Sequence, residues 1–233
     1  MKYIILVAKH HEGFCLWDSK YTDYDVASSG NKTNVIEAVA RECKKQGMKL
    51  GLYYSLWDRK VNADVDNVES DREYNTYMLK QLDELMDITE KYTKIVEFWF
   101  DGSWVKPGYR WPVEGIYRTI KSREPQCQIG INWTIGEDAD PHNPNAPEKS
   151  YKIIPEEQKE GDPIRYFPSD FRLGDPLLPA NPDPKVFTHN GKRYYMPFES
   201  TVCLSKRWFY HTTDKEYKLI AVSYTHLRAH ETS

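Results

Sequence analysis

The stretch Ile95-Val-Glu-Phe-Trp-Phe-Asp-Gly-Ser103 constrains the fold of this chain more than any other. In an extended strand, alternate side chains share a face. Val96, Phe98 and Phe100 then form one wholly apolar face, suited to packing under a helix. Glu97, Trp99 and Asp101 form the other, which ends in a carboxylate at the strand's C-terminus beside a glycine turn. Such a strand belongs inside a parallel α/β sheet, where reactive groups collect at the strand ends.

The surrounding sequence alternates strand and helix patterns. Tyr3 to Ala8 reads as a buried strand. Asn34 to Gln46 reads as a helix, with an Asn34/Glu37 capping box, an apolar face through Val35, Ile36, Val39, Ala40 and Cys43, and a stop at Gly47. Met48 to Ser55 is the next strand. A longer helix is expected from about Ser70 to Tyr92, with Ser70 and Glu73 as its capping box. Ile95 to Phe100, a short helix from Val113 to Arg123 between Pro112 and Pro125, and a strand from Gln128 to Trp133 complete the series. Repeated strand–helix units imply a parallel sheet with crossover helices. Chemical residues recur after successive strands: His10 and His11, Tyr53 and Tyr54, Asp101, then Asn132 and Trp133. That recurrence favours a (β/α)8-like TIM barrel over a doubly wound sheet. About four units are legible, so the barrel is expected to be incomplete at both ends of this chain.

From about 135 to 195 the periodicity fails, and the stretch is rich in Pro, Asp and Asn. It reads as a long loop insertion within a barrel domain spanning 1–220. Asp138, Asp140, Glu160 and Asp162 on it read as solvated acids. Ser223 to Thr232 resembles, codon by codon, the translation of a transposon-type sequencing adaptor, and Ala221-Val222 is compatible with the bases before it, so 221–233 is set aside from the fold. His226 and His230 therefore carry no functional expectation. Met1-Lys2 runs straight into a strand with no basic, apolar and small-residue leader pattern; either that strand opens the protein or, as the incomplete barrel suggests, upstream sequence is missing, and the compartment is not legible from this end.

A net charge of -3 gives no electrostatic reason to expect nucleic acid or an acidic membrane surface as partner. No apolar run is long enough to insert into a membrane. The four cysteines form no Cys-x-x-Cys pair, which argues against a zinc or redox motif. Aromatics make up 14% of the chain, enough to furnish either a core or a cleft whose rings stack on sugar faces.

Asp101 is the leading candidate for chemistry, with Trp99 on its own face. His10 and His11 point to opposite sides of a strand and can meet one site only past its end. With Asp101 they could ligate a metal, but the sequence shows no His-x-His or further His/Asp set, so no metal is expected. Hydrogen bonding to sugar hydroxyls asks only for imidazole donors and acceptors. Of Tyr53 and Tyr54, one should face the site and the other the helices. Glu199, in Pro197-Phe-Glu-Ser-Thr201, has an aromatic setting that could raise its pKa as a general acid requires.

Four segments together resemble the catalytic domain of α-L-fucosidases of glycoside hydrolase family 29. They are Ala8-Lys-His-His-Glu-Gly-Phe-Cys-Leu-Trp-Asp-Ser19, Gly51-Leu-Tyr-Tyr-Ser55, Glu97-Phe-Trp-Phe-Asp-Gly102 and Trp208-Phe-Tyr-His211. The resemblance implies a (β/α)8-like barrel followed by a β-sandwich, and retaining release of terminal α-L-fucose from fucosylated glycans or oligosaccharides. It implies Asp101 as nucleophile, with His10, His11, Tyr53, Tyr54 and Trp99 lining the sugar pocket. Trp17, within the first segment, and Asn132, after the last strand, join the expected substrate-binding set. Glu199 is expected as the acid/base. Glu12 stands where Asp is commoner in the family. No cofactor is implied, and the intact protein would be periplasmic or secreted. Two rivals stay open: a metal-dependent barrel hydrolase using His10, His11 and Asp101, and a non-catalytic fucose-binding relative.

Overall fold

The computed structural model describes residues 3–61, 68–139, 143–209 and 211–217. Asp140, His226, His230 and the whole adaptor-like tail lie outside the described residues. Strands β1 (Tyr3–Lys9), β2 (Lys49–Ser55), β3 (Ile95–Asp101) and β4 (Gln128–Ile131) form one sheet in that order. Every neighbouring pair is parallel. Helices α1 (Val35–Gln46), α2 (Val68–Thr89) and α3 (Val113–Arg123) make the crossovers.

Local chemistry explains the helix ends. Asn34 accepts a hydrogen bond from the Glu37 amide at 3.0 Å, and Gly47 ends α1 at φ 64°. The reciprocal half of the expected box is absent: Glu37 instead accepts from the Tyr92 hydroxyl at 2.6 Å, tying α1 to the end of the next crossover. Helix α2 begins at Val68, so Ser70 is an interior residue rather than a cap; its side chain lies outside the described set.

The sheet's two faces have different cores. Leu50, Leu52, Tyr54, Phe98, Phe100, Ile129 and Ile131 pack against Ile36, Ala40, Met78, Leu82, Leu85, Ile116 and Ile120 of the helices. Tyr53, Trp99, Phe171 and Leu173, with Ile5 against them, form a smaller cluster on the opposite face.

Phe171 and Leu173 lie within the stretch expected to be a loop insertion. Part of that stretch continues the sheet. Leu173 bridges Asn132 in parallel, and the Asp170 amide donates to Ile129 O at 2.8 Å. A second run follows it: Arg172 bridges Phe198 in parallel, and the Glu199 amide donates to Arg172 O at 3.0 Å. These runs are short and interrupted by Pro, Gly and a buried arginine, so they show no strand periodicity in sequence. Gly130 admits the first of them, because a Cβ there would stand 2.4 Å from Phe171 Cζ. The Tyr3 hydroxyl of β1 reaches Glu199 Oε2 at 3.5 Å. The remainder of the stretch holds two antiparallel ribbons: β5 (Gly136–Glu137) with β6 (Tyr151–Lys152), and β7 (Val186–His189) with β8 (Lys192–Tyr195).

Candidate active site

Asp101 ends β3 on the face away from the helices, and its side chain is almost wholly buried. The Tyr53 hydroxyl donates to its Oδ2 at 2.5 Å, and Asn132 Nδ2 donates to its Oδ1 at 3.0 Å. Both donors follow from register: Tyr53 pairs with Trp99 across β2 and β3, and Asn132 follows the last residue of β4, which pairs with Phe100. Burial and the charge of Asp101 hold the Tyr53 hydroxyl well above the usual phenol range, so it stays a donor. Gly102 follows at φ 82°, and a Cβ there would meet Ser55 Oγ and Trp57 Cβ at 2.9 Å.

His11 stands beside this carboxylate, its Nε2 3.7 Å from Asp101 Oδ2. Its Nδ1 lies 2.7 Å from Ser55 Oγ, and that hydroxyl donates to Trp57 O at 2.6 Å. A hydroxyl has one proton, so Ser55 accepts from Nδ1–H. Burial pulls the imidazole pKa down, although Asp101 opposes it. Neutral His11 therefore turns a bare Nε2 toward the site, an acceptor for a substrate hydroxyl.

His10 stacks on Tyr53 at 5.6 Å, and its Nδ1 lies 3.2 Å from Glu12 Oε2. Trp99 stacks beneath Tyr53 at 5.5 Å. Thus Asp101, His10, His11, Tyr53, Trp99 and Asn132 come together. Ser55, Trp57 and Trp104 join them unforeseen, with the two indoles 5.3 and 6.0 Å from the His11 ring. Their one sequence signal is position: Ser55 ends β2, and Trp57 and Trp104 follow β2 and β3 within three residues. Phe209 meets His10 edge-on at 6.0 Å while largely exposed.

Two expected pocket residues lie elsewhere. Tyr54 is fully buried on the helix face and donates to Gln81 Oε1 of α2 at 2.7 Å, as strand alternation demands once Tyr53 faces the site. Trp17 is also fully buried, its Nε1 bonded to Glu84 Oε2 of α2 at 3.0 Å. It belongs to the helix-layer core, not to the pocket.

Glu199 occupies the same interior face but deeper. It accepts from Trp99 Nε1 at 3.1 Å and from Tyr3 at the start of β1. It also confronts Glu97, which lies four residues, about 13 Å, before Asp101 along the strand. Burial and mutual repulsion push Glu97 up to about 8, and burial raises Glu199 as well. One oxygen of Glu97 is buried without a hydrogen-bond partner, which fits a protonated acid. The folded chain thus holds a proton that the unfolded chain releases above about 4.5. This contribution to stability is fully present below that pH and is lost as pH rises toward about 8. Melting curves should show Glu97→Gln gaining on the parent protein across that window; a constant difference in Tm would refute the proton held on Glu97.

One ligand atom from each of His10, His11 and Asp101 lies within 4.8 Å of the others. His11 Nδ1 and both Asp101 oxygens are already committed to Ser55, Tyr53 and Asn132.

The chain resembles known proteins in sequence and in fold. A family model described as Alpha-L-fucosidase matches residues 1–222. Alpha-L-fucosidase 1 of Arabidopsis thaliana is 44% identical over 103 residues, covering 43% of this chain and 19% of the relative. Human plasma alpha-L-fucosidase is 30% identical over 128 residues, covering 53% and 27%. The structure of alpha-L-fucosidase isoenzyme 1 from Paenibacillus thiaminolyticus superposes with a TM-score of 0.68 at 27% identity, covering 97% of this chain and 51% of that one. The chain therefore spans about half of that solved chain and a smaller share of these curated relatives. With the family model covering nearly its whole length, the chain belongs to the alpha-L-fucosidase family.

Proposed function

We propose that this domain releases terminal α-L-fucose from fucosylated glycans or oligosaccharides with retention of configuration. The observation that carries the reading is Asp101, a carboxylate at a strand end with each oxygen gripped by a neutral donor. Those donors aim it without neutralising it, as a nucleophile at an anomeric carbon requires. Asp101 attacks C1 through an oxocarbenium-like transition state, a carboxylic acid protonates the departing oxygen, and water then cleaves the fucosyl ester. His11 Nε2 accepts a sugar hydroxyl, His10 flanks it, and the indoles of Trp57, Trp99 and Trp104 exclude water and offer apolar surface to the fucose methyl. Glu199, expected from sequence as the acid/base, instead anchors the Trp99 indole from below.

The fold reading that accompanies this is a (β/α)8-like barrel. It is supported by the interior cluster of Tyr53, Trp99, Phe171 and Leu173 and by the Tyr3–Glu199 contact, which brings the sheet's outer run back to its first strand.

The triad of His10, His11 and Asp101 also favours a second reading, metal-dependent hydrolysis. Assay of the chain on an aryl α-L-fucoside with and without chelator separates them. Chelator-resistant release is expected. Release abolished by chelator and restored by a divalent ion would establish the metal reading. Saturable fucose binding without turnover would identify a binding relative.

A further inference from the structure

We infer that Asp175 is the acid/base partner of Asp101, donating the proton to the leaving oxygen and recovering it from water. This rests on the fucosidase reading above and names the residue that reading lacks. Four observations carry it. First, Asp175 comes just after the strand-like run that follows β4. Phe171 and Leu173 of that run belong to the interior cluster, and Asp175 stands in the turn directly after it, closed by the Leu177 amide donating to Gly174 O at 2.8 Å, where its charge is felt by Tyr53 and that of Asp101 by it. Second, it stands at the right height. Ile131 pairs with Phe100 and Asn132 bridges Leu173, which sets Asp175 at the strand-end mouth that Asp101 occupies. Third, one side chain connects the two acids. Asn132 donates to Asp101 Oδ1 at 3.0 Å and accepts from the Asp175 amide at 2.9 Å. Fourth, Asp175 Oδ1 is buried with no hydrogen-bond partner, leaving an oxygen free to carry a proton.

The electrostatics agree. Burial, with the Asp101 charge adding to it, pushes the Asp175 carboxyl up to about 6, although a hydrogen bond from Thr201 opposes this. An acid so placed keeps its proton to higher pH than an ordinary carboxyl, as the proton donor of such a pair requires. In the first step Asp101 forms the bond to C1, the C1–O bond breaks with its electron pair on oxygen, and the Asp175 proton goes to that oxygen. In the second, water attacks C1, its proton passes to Asp175, and the Asp101 carboxylate leaves. Glu199 has no such opening, because Trp99, Tyr3 and Glu97 surround its carboxyl.

The test compares Asp175→Ala, Asp175→Asn and Glu199→Gln on phenyl α-L-fucoside and on the activated 2-chloro-4-nitrophenyl α-L-fucoside, with and without sodium azide. A poor leaving group needs the proton and an activated one does not. Asp175→Ala should lose about 10²–10⁴-fold in kcat/KM on the phenyl substrate and far less on the activated one. Azide should restore turnover and yield α-fucosyl azide, formed on the face that water normally attacks. Glu199→Gln should lose equally on both substrates and yield no azide product. The inference is overturned if Asp175→Ala loses equally on both without azide rescue, or if Glu199→Gln gives the α-fucosyl azide. Parent protein inert even on the activated fucoside would defeat the fucosidase reading itself, and this inference with it.

Discussion

Asp101→Ala is expected to lower kcat/KM on an activated aryl α-L-fucoside on the order of 10⁴-fold or more, because it removes the atom that forms the covalent bond. The loss should lie in kcat, since Asp101 is one among several groups lining the pocket: His10, His11, Tyr53, Asn132 and three indoles remain to bind the sugar. Asp101→Gly, which opens more space, should be rescued by azide and should yield β-fucosyl azide, the opposite anomer to that predicted for Asp175→Ala. Opposite anomers from the two variants would assign the two carboxyls to opposite faces of the ring in one experiment. Near-parental activity in Asp101→Ala would remove Asp101 from the nucleophile role, however well Tyr53 and Asn132 hold it.

The largest loss of stability is expected at Arg172, which has no hydrogen bond to the residues around Asp101. Its guanidinium is fully buried and donates to Met196 O at 2.8 Å, Gln158 Oε1 at 2.6 Å, Pro184 O at 2.7 Å and Asp183 Oδ1 at 2.6 Å. These partners come from three separate parts of the long stretch after β4, around Gln158, Asp183-Pro184 and Met196. One side chain therefore pins that stretch to the run that carries Phe171, Leu173 and Asp175. Arg172→Met keeps the volume but leaves Asp183 with only its half-exposed Lys185 partner and takes the guanidinium from three neutral acceptors. Breaking such a pair costs about 3–5 kcal/mol, which for a chain of this size lowers Tm by roughly 10 °C. Lys185→Met removes the half-exposed partner of the same Asp183 and should cost about 1 kcal/mol or less. Equal shifts in the two variants would show that the buried hub does not bear the load assigned to it.

Periodicity carried the regular elements, since each is encoded within a few consecutive residues. The faces of α1 and β3, the stop at Gly47 and the span of α3 are local matters of side-chain spacing and capping. The carboxylate at the end of β3 was legible for the same reason. The continuation of the sheet through 170–174 and 197–199 was not. Its hydrogen bonds join residues 25 to 41 positions apart, and its most buried polar residue, Arg172, reads in sequence as a surface charge.

By itself, the sequence determined the parallel α/β class, the family and the place of Asp101, because pattern and motif are properties of neighbouring residues. Only the tertiary structure decided which aromatic of each pair meets the site. It turned Tyr53 inward and Tyr54 toward α2, and it put Trp17 in the helix core. It also set Glu199 below Trp99 and raised Asp175 to the level of Asp101. Alternation separates two faces of a strand but does not say what each will face. That is decided by which distant segment buries the larger apolar area, and here α2 covers one face of β2 while the run through Phe171 covers the other.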